Sequence, residues 1–254
     1  MKIVVTVKQV PDPNAAQALE GDNTIARDRE VVLDPGDEVG IEEGLQLKEA
    51  QGGEVVLLSV GPEKARDAIR KGLSMGADRG ILVTDEGLSG ADALLTARVL
   101  AAALTNESPD LVICATESYD GSTGMVPPML AELLDVPQLT FAKEIAMDGA
   151  GKVTVHRQTE DGFQVVEAPT PCLVTVTAGI AEPRYASLKG IMAARSKEVK
   201  QLSLAELGVS PGTPVETIEG VADAPARQSG EIVEDDGGSG VERIMAVLSA
   251  AKVV

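Results

Sequence analysis

Short apolar runs separated by amphipathic stretches dominate the first half of the chain. IVVTV at 3–7 and EVVLLSV at 54–60 are continuous runs rich in β-branched residues, the mark of strands covered on both faces. GILVT (80–84) and DLVICA (110–115) repeat the type. Between them the spacing becomes helical. Asp34-Pro35 marks a turn and helix start, Val39, Ile41, Leu45 and Leu47 recur among acids, and Gly52-Gly53 stop the run. Helices are also predicted over 63–75, opened by Gly61-Pro62, and over 91–105. This alternation predicts a parallel sheet with helices on both faces and right-handed crossovers.

The pattern changes after the loop TESYDGSTG (116–124). A helix over 124–134 and a strand in PQLTFAKEI follow. From 143, KEIAMDGAGKVTVHRQ and FQVVEAPTPCLVTVTA alternate with period two across a Gly-containing turn, which predicts antiparallel strands. Beyond 200 the chain is rich in Pro, Gly and acids and carries too little apolar surface to fold alone. It ends in GVERIMAVLSAAKVV, where Val241, Ile244, Met245 and Leu248 share one helical face. The expected fold class is α/β: an open, mostly parallel, doubly wound sheet over 1–200, with an antiparallel extension. An extended C-terminal arm over 201–254 ends in a helix that packs on its own domain or on a partner subunit.

Composition narrows the function. Hydrophobic residues make up 44% of the 254, enough for a substantial core, but aromatics only 2%, so that core is aliphatic. A formal net charge of −18 and so few stacking side chains argue against nucleic acid as a partner. No apolar run approaches bilayer length, and MKIVVTVKQV is interrupted by Lys8, so it reads as a buried strand and not as a leader; no direct membrane insertion is expected. Cys114 and Cys172 sit in apolar runs as buried thiols, which fits a reducing, cytoplasmic setting. His156 stands alone, so neither a metal site nor a catalytic constellation is expected. The pairs Glu42-Glu43 and Asp235-Asp236 read as solvated faces.

In an open parallel sheet ligands bind beyond the carboxyl ends of the strands. Four such ends can be named: Thr6 to Lys8, Asp34-Pro35, Ser59 to Gly61, and the loop 115–124. The last carries hydroxyls at Thr116, Ser118, Ser122 and Thr123, with Gly121 and Gly124, and runs into a helix N-terminus. Two readings stand: an anion site for a phosphate, or a helix entrance capped by Ser122 or Thr123. LSGADALL (88–95) is a weak echo of the Ser-Gly-Gly-x-Asp-Ser loop of adenylating enzymes; Asp92 reads more simply as a helix cap. One further segment is conspicuous. EPRYASLKGIMAARSK (182–197) holds four cations against one acid in a strongly acidic chain, with Tyr185, Leu188, Ile191 and Met192 among them.

VKQVPD (7–12), DPGDEVGIEEGLQLKE (34–49), SVGPEKARDAIRKGLSMGADRGI (59–81), the stretch 115–133, VPQLT (136–140) and EPRYASLKGIMAARSKEV (182–199) resemble, in order, the beta subunits of electron transfer flavoproteins. That resemblance implies an adenine nucleotide alpha hydrolase-like sheet in a subunit that is an electron carrier and not an enzyme. It implies AMP in the beta subunit, or in electron-bifurcating members a second FAD acting with NAD(H). The electron-transferring FAD is implied on an alpha subunit, the other half of a heterodimer. Carried over by position, the cofactor site falls on Thr6, Asp34, Pro35, Gly36, Asp37, Val60, Ala115, Thr116, Glu117, Ser118, Tyr119, Asp120, Gly121, Ser122, Thr123, Gly124, Met125 and Val126, with Lys8 beside them. The recognition segment falls on Glu182, Pro183, Arg184, Tyr185, Leu188, Ile191 and Met192. It implies docking to acyl-CoA or other flavin dehydrogenases, with a quinone oxidoreductase or similar acceptor downstream. The chain departs from many relatives at Asp34 (Asn), Met125 (Gln) and Pro127 (Gly), and has Gln158 where animal members place Glu. A nucleotide sensor of the universal-stress type has a similar sheet but gives the EPRY segment and the tail no role.

Overall fold

The computed structural model describes residues 1–20, 24–212, 214–216, 218–222, 225, 229–230, 232–234 and 237–254. Two compact units are distinguished, Met1–Glu219 and Gly220–Val254.

In the first unit the strands are β1 (Lys2–Thr6), β2 (Gln9–Pro11), β3 (Val31–Leu33), β4 (Glu54–Val60), β5 (Arg79–Val83), β6 (Leu111–Ala115), β7 (Gln138–Met147), β8 (Lys152–Thr159), β9 (Gly162–Pro169), β10 (Cys172–Val176) and β11 (Val199–Leu202). The helices are α1 (Pro35–Gln51), α2 (Arg66–Met75), α3 (Ala93–Glu107), α4 (Val126–Leu134), α5 (Leu188–Ala194) and α6 (Leu204–Leu207). Among the described residues nine strands form one sheet in the order β11-β5-β4-β1-β6-β10-β7-β8-β9, and β2 and β3 form a small antiparallel pair. The fold class is therefore α/β with a large, mostly parallel sheet.

Connectivity makes the sheet doubly wound. From β1 the chain steps outward through β4 and β5, then crosses back to lay β6 on the other side of β1. Residues of α1 and α2 pack on one face with Ile3, Val5, Val55 and Leu57. Residues of α3 and α4 pack on the other with Val4, Val56, Leu58 and Val112. The alternation inside IVVTV is thus shared between two apolar layers, which is why the run has no polar face. The largest fully buried side chains are all Leu or Ile. All four aromatic residues of the chain, Tyr119, Phe141, Phe163 and Tyr185, are exposed instead.

Two expectations need correction. Only β8 and β9 continue antiparallel from β7; CLVTV is β10, a central strand parallel to both β6 and β7. Its five consecutive buried positions are the signature of a strand covered on both faces, which outweighs the period-two pattern preceding it. Helix α4 begins at Val126, two residues later than its glycine suggested. Gln9–Pro11 pairs antiparallel with Val31–Leu33. The first unit also runs past residue 200, with β11 on the edge beside β5 and α6 opened by a capping box on Ser203 and Glu206.

In the second unit α7 (Ser239–Ala250) carries Val241, Ile244 and Met245 exposed. Asp235 and Asp236 lie outside the described residues. No helix among the described residues is long and apolar enough to cross a membrane.

Candidate functional site

The sheet reverses its winding between β1 and β6, and their carboxyl ends open onto the same rim. Brackets of polar contact collect there. Just past β1, Lys8 donates its backbone amide to Asp37 Oδ2 (2.7 Å) and its Nζ to Asp120 Oδ1 (2.7 Å) and Ser118 Oγ (3.2 Å). Asp34 caps α1: Oδ1 accepts from the Gly36 amide (2.8 Å), and Oδ2 accepts from the Tyr119 amide in the loop after β6 (2.8 Å). The first turn of α1 must approach that loop closely, and Pro35-Gly36 allows it. A Cβ at Gly36 would stand 3.1 Å from Ala115 Cβ. Thr116 is fixed by donating its hydroxyl to Val176 O (2.9 Å). Thr6 and Val60 finish β1 and β4 one strand apart, both half-buried.

Electrostatics at this rim are dominated by acids held away from water. Asp34 is fully buried, and burial raises its pKa despite the two amides it accepts from. Burial raises Asp37 well above the carboxylate range, with Asp34's charge adding to it. Asp120 is the opposite case. Burial acts upward, but Lys8 and Ser118 and then Arg27 outweigh it and hold the carboxyl down. Arg27 also donates to Gln9 O (2.9 Å), so it fastens the segment after β2 to the rim through Asp120. Sequence reasoning missed Arg27, because nothing local distinguishes it from neighbouring Arg29. Asp34, whose oxygens are both already used, is part of the frame.

The loop 116–125 resolves the choice between cap and anion site in one respect. The N-cap of α4 is Met125, with no side-chain cap bond, and neither Ser122 nor Thr123 fills that place. Ser122 and Gly124 adopt positive φ (46° and 61°). Among the described residues the exposed amides of Gly121 and Thr123 and the half-buried amide of Gly124 have no acceptor within the chain. Unused amides ahead of a helix start are donors suited to a phosphate or carboxylate. Tyr119 and Met125 flank them, both exposed, while Glu117 is also turned to solvent and Val126 is half-buried.

The basic segment lies elsewhere, held against α1 and the C-terminal turn of α2. Arg184 donates to both oxygens of Glu42 (2.8 and 3.0 Å) and to Glu49. Glu42 and Glu43 are 4% and 7% exposed, so the expectation of a solvated face is overturned. Burial pushes Glu42 up, but Arg184 more than offsets it and its pKa is lowered; among the described residues Glu43 has no such partner, and burial pushes it up to about 7. Ser187 caps α5 by accepting from the Gly190 amide (3.0 Å), and a Cβ at Gly190 would lie 2.4 Å from Ser74 O of α2. Tyr185, Leu188 and Met192 stand out at 97%, 76% and 66% exposure, with Ile191 beside them, Glu182 exposed and Pro183 half-buried.

Other candidates take structural roles. Asp92 caps α3 through the Leu95 amide (2.8 Å) and accepts from Val215 (2.6 Å). Cys114 and Cys172 are buried, their thiol pKa values raised by burial to about 12 and about 11. His156 Nδ1 lies 2.8 Å from Glu144 and its ring stacks on Phe163. Among the described residues no group of three or more His, Cys, Asp or Glu is placed to hold a metal ion.

A family model described as the electron transfer flavoprotein domain matches residues 22–207. Among curated proteins, an electron transfer flavoprotein subunit beta from Mycobacterium leprae is 43% identical over 270 residues, covering 99% of both chains. One of the same description from Mycobacterium bovis is 42% identical over 265 residues, again 99% of each. An acryloyl-CoA reductase electron transfer subunit gamma from Anaerotignum propionicum is 37% identical over 225 residues, covering 86% of this chain and 83% of its own.

Proposed function

Because this chain belongs to the electron transfer flavoprotein family, among its beta subunits, we propose that it binds AMP as a structural ligand and serves a heterodimer whose alpha subunit holds the working FAD. The carrying observation is the rim at the winding reversal, where the loop before α4 carries unused backbone amides and is tied to Asp34 through the Tyr119 amide and to Lys8 through Asp120. The phosphate of AMP fits the amides of Gly121, Thr123 and Gly124, which need an acceptor, while Lys8 and Arg27 supply nearby positive charge. Asp34 and Asp37 stiffen the floor by joining α1, β1 and the 116–120 loop.

FAD supplies the one- and two-electron chemistry. This chain's own side chains offer no redox group, since both thiols are buried and raised. Its contribution is to hold and present. The apolar face of α7 supports docking against the alpha subunit, and exposed Leu188 and Met192 suit the groove of a flavin dehydrogenase such as an acyl-CoA dehydrogenase. A quinone oxidoreductase or a similar acceptor takes the electrons onward, and the cytoplasm is the setting. Co-expression with its own alpha subunit tests the reading: a yellow heterodimer is expected. A colourless chain that purifies as a stable monomer and ignores the alpha subunit overturns it.

A further inference from the structure

Between α2 and α5 lies a surface notch of about 450 Å³, lined by Arg70, Lys71, Ser74, Ile191, Ala194 and Arg195. Three of these six side chains are cationic and none is acidic, in a chain of net charge −18. The floor is apolar, formed by Ile191 and buried Ala194. Its walls are clamped from both sides. Arg70 donates to Ala194 O and to Lys197 O (2.9 Å) at the end of α5, and Lys197 Nζ donates to Leu73 O (3.2 Å) and Ala77 O at the end of α2. Each helix's last carbonyls are thus met by a cation from the other element. Arg70 and Lys197 build the notch, whereas Arg195 is exposed and Lys71, among the described residues, makes only a long side-chain contact to Glu38 (3.7 Å). Lys189 is exposed on the same short helix.

We propose that this notch receives an acidic side chain of the electron-donating partner protein, beside the apolar knob of Leu188 and Met192. Charge complementarity selects the occupant: cations over a small apolar floor suit a carboxylate carried on an aliphatic stem. The clasp fixes the notch before the partner arrives, so little ordering cost is added on docking. Docking is then reciprocal, with a knob offered and an acid accepted. The inference rests on the reading of 182–192 as a partner-docking segment and adds the chemistry that the partner must present.

The test uses the heterodimer and stopped-flow reduction of its flavin by an acyl-CoA dehydrogenase. Lys71→Glu with Arg195→Glu is expected to slow reduction about tenfold or more near ~20 mM salt, the difference shrinking near ~300 mM. Arg195→Gln gives a smaller loss of the same salt dependence, and nucleotide content and heterodimer formation stay unchanged. Parent and charge-reversed rates that match at both salts overturn the notch while leaving the docking segment intact. A parent heterodimer that no acyl-CoA dehydrogenase or other flavin dehydrogenase reduces overturns both. Unchanged reduction with loss of heterodimer self-association in the variant assigns the notch to a second copy and also overturns the proposal.

Discussion

Glu43 is 7% exposed on α1, beside the like charge of Glu42, and burial raises its pKa from 4.5 to about 7. The unfolded carboxyl titrates near 4.5, so between the two values the folded state binds the extra proton. Stability therefore falls as pH climbs from 4.5 to about 7, then levels off. Glu43→Gln is expected to stabilise the protein by up to about 3 kcal/mol at pH 8, with the gain vanishing below pH ~5; denaturant midpoints at both pH values check this. Glu42 behaves oppositely. Its folded pKa is lowered by Arg184, so its contribution is present at neutral pH and lost on acidification. Arg184→Met leaves a buried carboxylate without its guanidinium and is expected to cost about 2 kcal/mol at pH 7, discounted because the arginine is partly exposed. Thermal denaturation should show that deficit narrowing near pH ~4. Neither residue was legible locally: an acidic pair on a helix reads as solvated, and the arginine that meets Glu42 comes from 142 positions away.

At the scale of elements, runs such as IVVTV, EVVLLSV and DLVICA announced buried strands, because two apolar layers leave no place for polar alternation. CLVTV carried the same signal and was obscured by the alternating hairpin before it. The start of α4 could not be read from its hydroxyls. A residue with a good capping side chain caps only if the backbone brings it to the helix entrance, and positive φ at Ser122 and Gly124 carries the loop past that place. The seating of α5 on α2 depends on a contact that the sequence shows only as a glycine. Gly190→Ala drives a Cβ against the Ser74 carbonyl and should displace α5, slowing reduction by a partner dehydrogenase while nucleotide content is unchanged. Leu188→Ala leaves α5 in place and removes an exposed apolar anchor. It should slow the same stopped-flow reduction about fivefold or more without altering heterodimer yield, since truncating an anchor commonly costs ~1–2 kcal/mol.

Across the whole molecule, an aliphatic core and four exposed aromatics describe a protein that spends its large flat side chains on its surface. Tyr119 stands at the rim, Tyr185 in the basic segment, Phe141 on β7 and Phe163 on β9 of the antiparallel extension. Surfaces of that kind fit a chain that works within an assembly. The α/β class and four strand ends at the rim followed from periodicity and turn residues. Which ends share a crevice depended on the crossover that places β6 beside β1, a long-range choice no local pattern records. The most direct measurement is to release the small molecules from the purified heterodimer by heat and identify them by mass. AMP and FAD in equal amounts is the predicted result; FAD alone, with no AMP, contradicts it.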